Sequence, residues 1–194
     1  MKGSRKEQIR QAAITVIAQE GFHGATTDKI AAQARVAVGT IYNYFKNKED
    51  ILAHIFAVEY EKRLHFFTRL EEEDIHPLDK IKGILTMHFA GVRENPNLVR
   101  VILEEKNFFH RYYERGPDCD QCLQGFLEQV INRGVGEGKL RPCDPEMVAV
   151  VLFGFIEAIM GRYLCISNGG DDNDFLEAAV NEIIALLAEG LVSA

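Results

Sequence analysis

Apolar residues recur at three- and four-residue intervals along almost the whole chain, and the alternating Val/Ile/Thr patterns of strands are missing. That feature restricts the chain to an all-α fold. Ile9, Ala12, Ala13, Val16 and Ile17 make one such stripe, which stops at Gly21. After it, Thr26 or Thr27 caps a short second helix carrying Ile30, Ala31 and Ala34, and a third helix runs from about Val38 to Phe45. A fourth starts near Asn47, with Glu49 and Asp50 in its first turn, and continues to about Leu70. Five more are predicted over 78–94, 96–113, 119–137, 144–167 and 172–191. Their separators are Asn95-Pro96, Gly116-Pro117, the stretch from Gly134 to Gly138 with Pro142, and the linker SNGGDDND. The expectation is about nine helices: a small three-helix domain at 1–48 and a larger helical domain at 49–194, joined by helix 47–70.

Charge separates the same two regions. Residues 1–48 hold eight Lys and Arg against three acids, a net of +5, whereas the remainder holds 14 against 26, a net of −12. A basic head on an acidic body suits contact with a polyanion at one end only. No apolar run reaches the ~18 residues of a membrane span, and the start MKGSRKEQIRQ lacks the apolar centre of a signal peptide. Four irregularly spaced cysteines do not read as a disulfide framework. No membrane partner is expected.

Residues 26–45 read as two short helices joined by a tight turn. On the second of them, Ile41 and Phe45 lie four apart and face inward. Thr40, Tyr42, Asn43 and Tyr44 are left outside, with Gly39 allowing close backbone approach. Hydroxyl, amide and phenol groups in a row suit base edges and phosphate oxygens in a major groove. Lys46 and Lys48 follow at once, placed for backbone phosphates.

Residues 9–52 resemble the DNA-binding domain of the TetR (tetracycline repressor) family of bacterial transcriptional regulators. The matching positions are the first helix ending in Gly21-Phe22, Thr26-Thr27, Ile30-Ala31, Ala34, the run from Gly39 to Phe45, Lys48-Glu49 and Leu52. The resemblance implies a helix-turn-helix domain, a larger ligand-binding domain, a homodimer, an operator released allosterically and a cytoplasmic location. It places Thr40, Tyr42, Tyr44 and Lys48 at positions that contact DNA, and Ile41 and Phe45 at core positions. The candidate DNA-binding set is therefore Thr26, Thr27, Arg35, Gly39, Thr40, Tyr42, Asn43, Tyr44, Lys46 and Lys48.

Two positions depart from the family pattern. Arg35 stands where the turn ordinarily has glycine, so a left-handed backbone there would cost ~1–2 kcal/mol. Ala37 replaces the usual Ser/Thr cap of the recognition helix, a loss of roughly 1 kcal/mol.

The body is rich in aromatic residues, and a regulator of this kind needs an apolar cavity between helices. Phe66, Phe67, Leu85, His88, Phe89, Ile102, Phe108, Phe109, Tyr112, Phe126, Phe153 and Ile156 are its candidate lining. Lys106, His110, Arg111 and Arg115 add a basic rim that suits an amphiphilic anion. The run VGTIYNYFKNKEDIL is particularly similar to the fatty-acid-responsive branch, whose members are released by long-chain acyl-coenzyme A; a generic hydrophobic effector is the other expectation. The last two helices are apolar around much of their circumference, which points to a four-helix dimer interface. Its candidates are Val148, Val151, Leu152, Phe155, Ile159, Phe175, Val180, Ile183, Ile184 and Leu187. Cys119 and Cys122 form a lone CxxC without a second ligand pair, so no metal site and no cofactor is assigned. The sequence thus reads as a ligand-responsive repressor. A small helical enzyme lacks any nucleophile–base–orienter set, and a helical interaction module without DNA is the remaining alternative.

Overall fold

The computed structural model describes residues 4–112, 119–166 and 173–192, with side chains throughout except at 106–112, 119–122 and 173. The described residues form nine helices: α1 (Arg5–Gly24), α2 (Thr27–Ala34), α3 (Val38–Tyr42), α4 (Lys48–Glu72), α5 (Pro77–Glu94), α6 (Pro96–Tyr112), α7 (Cys119–Gly136), α8 (Pro145–Ile166) and α9 (Asn173–Leu191). Among these residues the only extended pairing is one antiparallel bridge, Leu140 to Val192. The all-α expectation holds. Two ends differ from it. α1 passes Gly21 and reaches Gly24, broken where Gly21 takes φ 72° and ψ 163°, and α3 closes at Tyr42 rather than Phe45.

The chain divides into two compact units, Met1–Glu61 with Asn95–Pro117, and Lys62–Glu94 with Asp118–Ala194. The division falls inside α4, whereas the charge boundary falls at its start.

In the first unit, α1 packs on α2 and on α6, and α2 packs on α3. Ile9, Ala13, Ile14, Ile17, Ile30, Ile41, Ile51, Leu52 and Ile55 are almost completely excluded from water. Each isoleucine or leucine among them contributes about 1.5–3 kcal/mol on burial. Side-chain caps start the helices where the sequence supplies them. Ser4 Oγ accepts from Glu7 N at 3.2 Å, Thr26 Oγ1 from Lys29 N at 3.3 Å and Asn47 Oδ1 from Asp50 N at 2.8 Å. Asp50 Oδ2 reciprocates by accepting from Lys46 N at 3.0 Å, which fixes the chain's path out of the α3 segment. Arg10 is 3% exposed and bonds Glu7 with two nitrogens at 2.8 Å and Glu59 with one at 3.3 Å, so a buried ion pair joins α1 to α4.

In the second unit α5 lies among α7, α8 and α9, and α7 packs along α8. The rings of Phe67 and Phe126 stack at 4.6 Å and 9°. Gly134 is required by close approach: a Cβ there would lie 2.8 Å from both Leu140 Cδ1 and Pro77 Cγ. α8 buries only Ala149, Leu152, Ile156 and Met160, a stripe one residue wide. Met147, Val150, Val151 and Phe155 on its other side are exposed, at 53%, 44%, 52% and 38%.

α8 also corrects the reading of membrane-like segments. Its most apolar 18-residue window has a mean hydropathy of 1.8 and is only 22% buried, so by length and composition it qualifies as a span. Counting uninterrupted apolar residues missed it because Glu157 and Arg162 break the run.

Candidate nucleic-acid interface

The geometry of the α2–α3 segment follows from how α2 ends. Arg35 takes φ 54° and ψ 48°, the left-handed conformation that glycine adopts without strain. Two bonds hold it there, Arg35 N to Ala32 O at 3.1 Å and Val36 N to Ala31 O at 3.0 Å. This is the Schellman pattern of a helix C-terminus with arginine in the glycine position, so the turn retains its shape and the strain is tolerated. Among non-glycine residues described, Arg35 alone has a positive φ. α3 then starts at Ala37 without a side-chain cap, its first bond being Thr40 N to Ala37 O at 2.8 Å.

Ile41, 0% exposed, and Phe45, 3% exposed, fasten this segment from behind. The opposite face carries Gly39, Tyr42, Asn43 and Tyr44 exposed, with Thr40 half-buried beside them. Tyr42 and Tyr44 are 55% and 45% exposed. A Cβ at Gly39 would meet nothing within 4 Å, so no packing inside the subunit demands glycine there. Thr26 is exposed at the start of α2, and Thr27 lies half-buried with its Oγ1 3.4 Å from Tyr42 OH.

The cations divide into two sets. Arg35 and Lys46, which precede and follow α3 in the chain, are exposed. Lys6, which sequence reasoning passed over, sets its ammonium 5.4 Å from the centre of the Phe45 ring. Lys29 is ion-paired with Glu20. Lys48 is engaged inside the unit: its Nζ donates to Phe22 O at 2.9 Å and Ala25 O at 3.2 Å, and lies 4.5 Å from the Phe22 ring centre. Nothing in the local sequence signals that engagement, since the acceptors lie more than twenty residues away.

The candidate lining of an effector cavity is dispersed. Phe67, Leu85, His88, Phe89, Phe126 and Ile156 are buried in the second unit, and Phe66 and Phe153 are half-buried there. Ile102 belongs to the first unit. Phe108, Phe109 and Tyr112, with the basic rim from Lys106 to Arg115, lie outside the described side chains. Phe89 also floors a groove of about 260 Å³ between α5 and α9, flanked by Lys82, Thr86, Arg93, Leu176 and Val180. His88 Nδ1 donates to Ile84 O at 2.9 Å. Burial, reinforced by the charge of Arg63, pushes the His88 imidazole down to about 3, so it is neutral at physiological pH.

The dimer candidates separate into two groups. Leu152, Val180, Ile183 and Leu187 are buried in the subunit's own core. Val151 and Phe155 are exposed, and Val148, Ile159, Phe175 and Ile184 are half-buried. Apolar excess in the sequence counted both faces of α8 and α9 together. Cys119 and Cys122 fall outside the described side chains, and among the described residues no group of three His, Cys, Asp or Glu is placed to hold a metal.

Comparison with known proteins accords with this geometry. The family model described as bacterial regulatory proteins, tetR family, matches residues 9–55. The fatty acid metabolism regulator protein of Bacillus subtilis is 31% identical over 191 residues, covering 95% of this chain and 94% of its own. The fatty acid degradation regulator FadR of Bacillus halodurans superposes with a TM-score of 0.81 at 27% identity, covering 96% of both chains. The regulator FadR of Bacillus subtilis, solved in complex with stearoyl-CoA, superposes with a TM-score of 0.77 at 30% identity, covering 95% of this chain and 98% of that one. The chain therefore belongs to the tetR family of bacterial regulatory proteins, and it is a DNA-binding transcriptional regulator rather than an enzyme.

Proposed function

We propose that the chain is a repressor that grips a pseudo-palindromic operator as a homodimer and is released by long-chain acyl-CoA. The observation that carries the DNA half is the division of one short segment. Ile41 and Phe45 are buried while Gly39, Tyr42, Asn43 and Tyr44 face solvent. Residues 1–48 act as the reading head, with Thr40, Tyr42, Asn43 and Tyr44 in the major groove, and Thr26, Thr27, Arg35 and Lys46 along the phosphates. Two heads on one duplex would engage half-sites about one turn apart, roughly 34–36 Å.

Residues 49–194 carry effector binding and dimerisation. The exposed Met147, Val150, Val151 and Phe155 leave an apolar strip that a second copy of α8 would cover, with α9 completing a four-helix contact. The same cover accounts for a membrane-like composition in a cytoplasmic regulator. Phe67, Leu85, Phe89, Phe126 and Ile156 supply buried aromatic and aliphatic surface in the second unit, the chemistry an acyl chain needs. Support for the effector class comes from the fatty acid metabolism regulator at 31% identity and from the relative solved with stearoyl-CoA.

The test is fluorescence anisotropy on an operator duplex selected from a random-sequence pool. Palmitoyl-CoA is expected to weaken operator binding about 5- to 150-fold, the usual range of allosteric coupling. Equal operator affinity with and without it would reject the effector.

A further inference from the structure

We infer that Lys48 and Glu105 are positioning residues: they hold the Phe22 peptide from its two ends and through it set the angle of the α2–α3 reading segment. The inference rests on the DNA-binding face proposed above, and it changes the role of Lys48 from phosphate ligand to internal brace.

The Gly21 break creates the opportunity. With ψ at 163°, Gly21 rotates the following amide out of the helical direction, and Phe22 N–H donates instead to Glu105 Oε1 of α6 at 3.3 Å. The carbonyl of the same residue accepts from Lys48 Nζ at 2.9 Å, and Ala25 O accepts from that ammonium at 3.2 Å. The ammonium also lies 4.5 Å from the Phe22 ring centre, within cation–π range, and the ring is 2% exposed. Phe22 thus connects α6 to the first residue of α4 across the end of α1. Ala25 leads directly into the Thr26 cap of α2, and Lys48 follows the recognition segment by three residues beyond Phe45. A brace at these points fixes both ends of the segment from 26 to 47. Two of the three ammonium protons are committed to carbonyls inside the protein, which leaves one for any other acceptor.

The salt dependence of operator binding separates the two roles, because each phosphate contact adds about 0.9 to the log–log slope. The full-length protein and the selected operator duplex are used, with melting curves for every variant. Lys46→Met serves as the reference and is expected to lower the slope. Lys48→Met is expected to weaken binding about three- to tenfold at unchanged slope. Glu105→Ala is expected to weaken binding similarly, although removal of an anion acting through long-range electrostatics alone would strengthen it. Glu105→Gln, whose amide oxygen still accepts from Phe22 N–H, is expected to bind within about twofold of the unmodified protein. A slope reduced by Lys48→Met as by Lys46→Met overturns the inference, and so does undiminished binding by Glu105→Ala. Should Lys48→Met fail to fold, the Glu105 pair decides alone. Failure of the reading face itself would appear elsewhere, as full operator affinity in Thr40 and Tyr42 variants.

Discussion

Thr27 Oγ1 and Tyr42 OH stand 3.4 Å apart, so the first turn of α2 touches the last residue of α3 through two hydroxyls. Both groups lie at the solvent face, and water replaces this bond at little cost. Tyr42→Phe is therefore expected to change unfolding free energy by less than about 0.5 kcal/mol. Operator binding should weaken nonetheless, by about 1 kcal/mol or more, if the phenol oxygen meets DNA. Parallel urea denaturation and anisotropy titrations check both, and a loss of stability without loss of affinity would assign the hydroxyl to the fold.

The left-handed Arg35 invites relief. Arg35→Gly removes strain of ~1–2 kcal/mol and adds unfolded-state entropy worth roughly 0.5–1 kcal/mol. A net gain of about 0.5–1 kcal/mol in urea denaturation is the expected outcome. Destabilisation would mean that the arginine side chain supplies more than the geometry reveals. Ala37→Ser, which restores a hydroxyl at the uncapped start of α3, should add about 1 kcal/mol by the same assay.

His88 makes the second unit acid-sensitive. In the unfolded chain its imidazole titrates near 6.5, and in the folded chain it stays neutral down to about 3. Between those values the unfolded state binds more protons. The contribution of His88 is therefore complete above about pH 6.5 and is lost as pH falls, by up to roughly 1.4 kcal/mol per pH unit. His88→Gln, which can still donate to Ile84 O, should flatten the dependence of urea midpoints on pH between 4 and 6.5. Identical pH profiles would show that carboxylates govern the range.

The nine helices were legible because each separator carries a physical stop. Asn95-Pro96 cannot continue a helix, and Asn95 Oδ1 caps the next one by accepting from Leu98 N at 3.1 Å. The outward face of α3 was legible for the same reason, since Ile41 and Phe45 fix which side is buried. Long-range acceptors left no trace in local pattern. Lys48 reads as a free cation because Phe22 and Ala25 come near it only after α1 breaks at Gly21. α8 and α9 show the limit of composition. Leu152 and Val151 are equally apolar and adjacent, yet one is 1% exposed and the other 52%, a difference set by packing against α7 rather than by residue type.

That exposed strip yields its own expectation. Val151→Arg with Phe155→Arg should raise the dimer dissociation constant by about 100-fold or more while each subunit stays folded, because neither side chain lies in the subunit core. Sedimentation equilibrium and circular dichroism report the two quantities. An unchanged dimer would move the interface off this face of α8.

Whether the solvent-facing groups of α3 read DNA is decided by the affinity of a Thr40→Ala/Tyr42→Ala variant for the selected operator. Both residues sit on a segment anchored by the untouched Ile41 and Phe45, so the fold and the dimer mass should persist. Affinity is predicted to fall roughly 100-fold or more, two base or phosphate contacts being lost in each subunit. Operator affinity equal to that of the unmodified protein would mean that α3 does not read DNA.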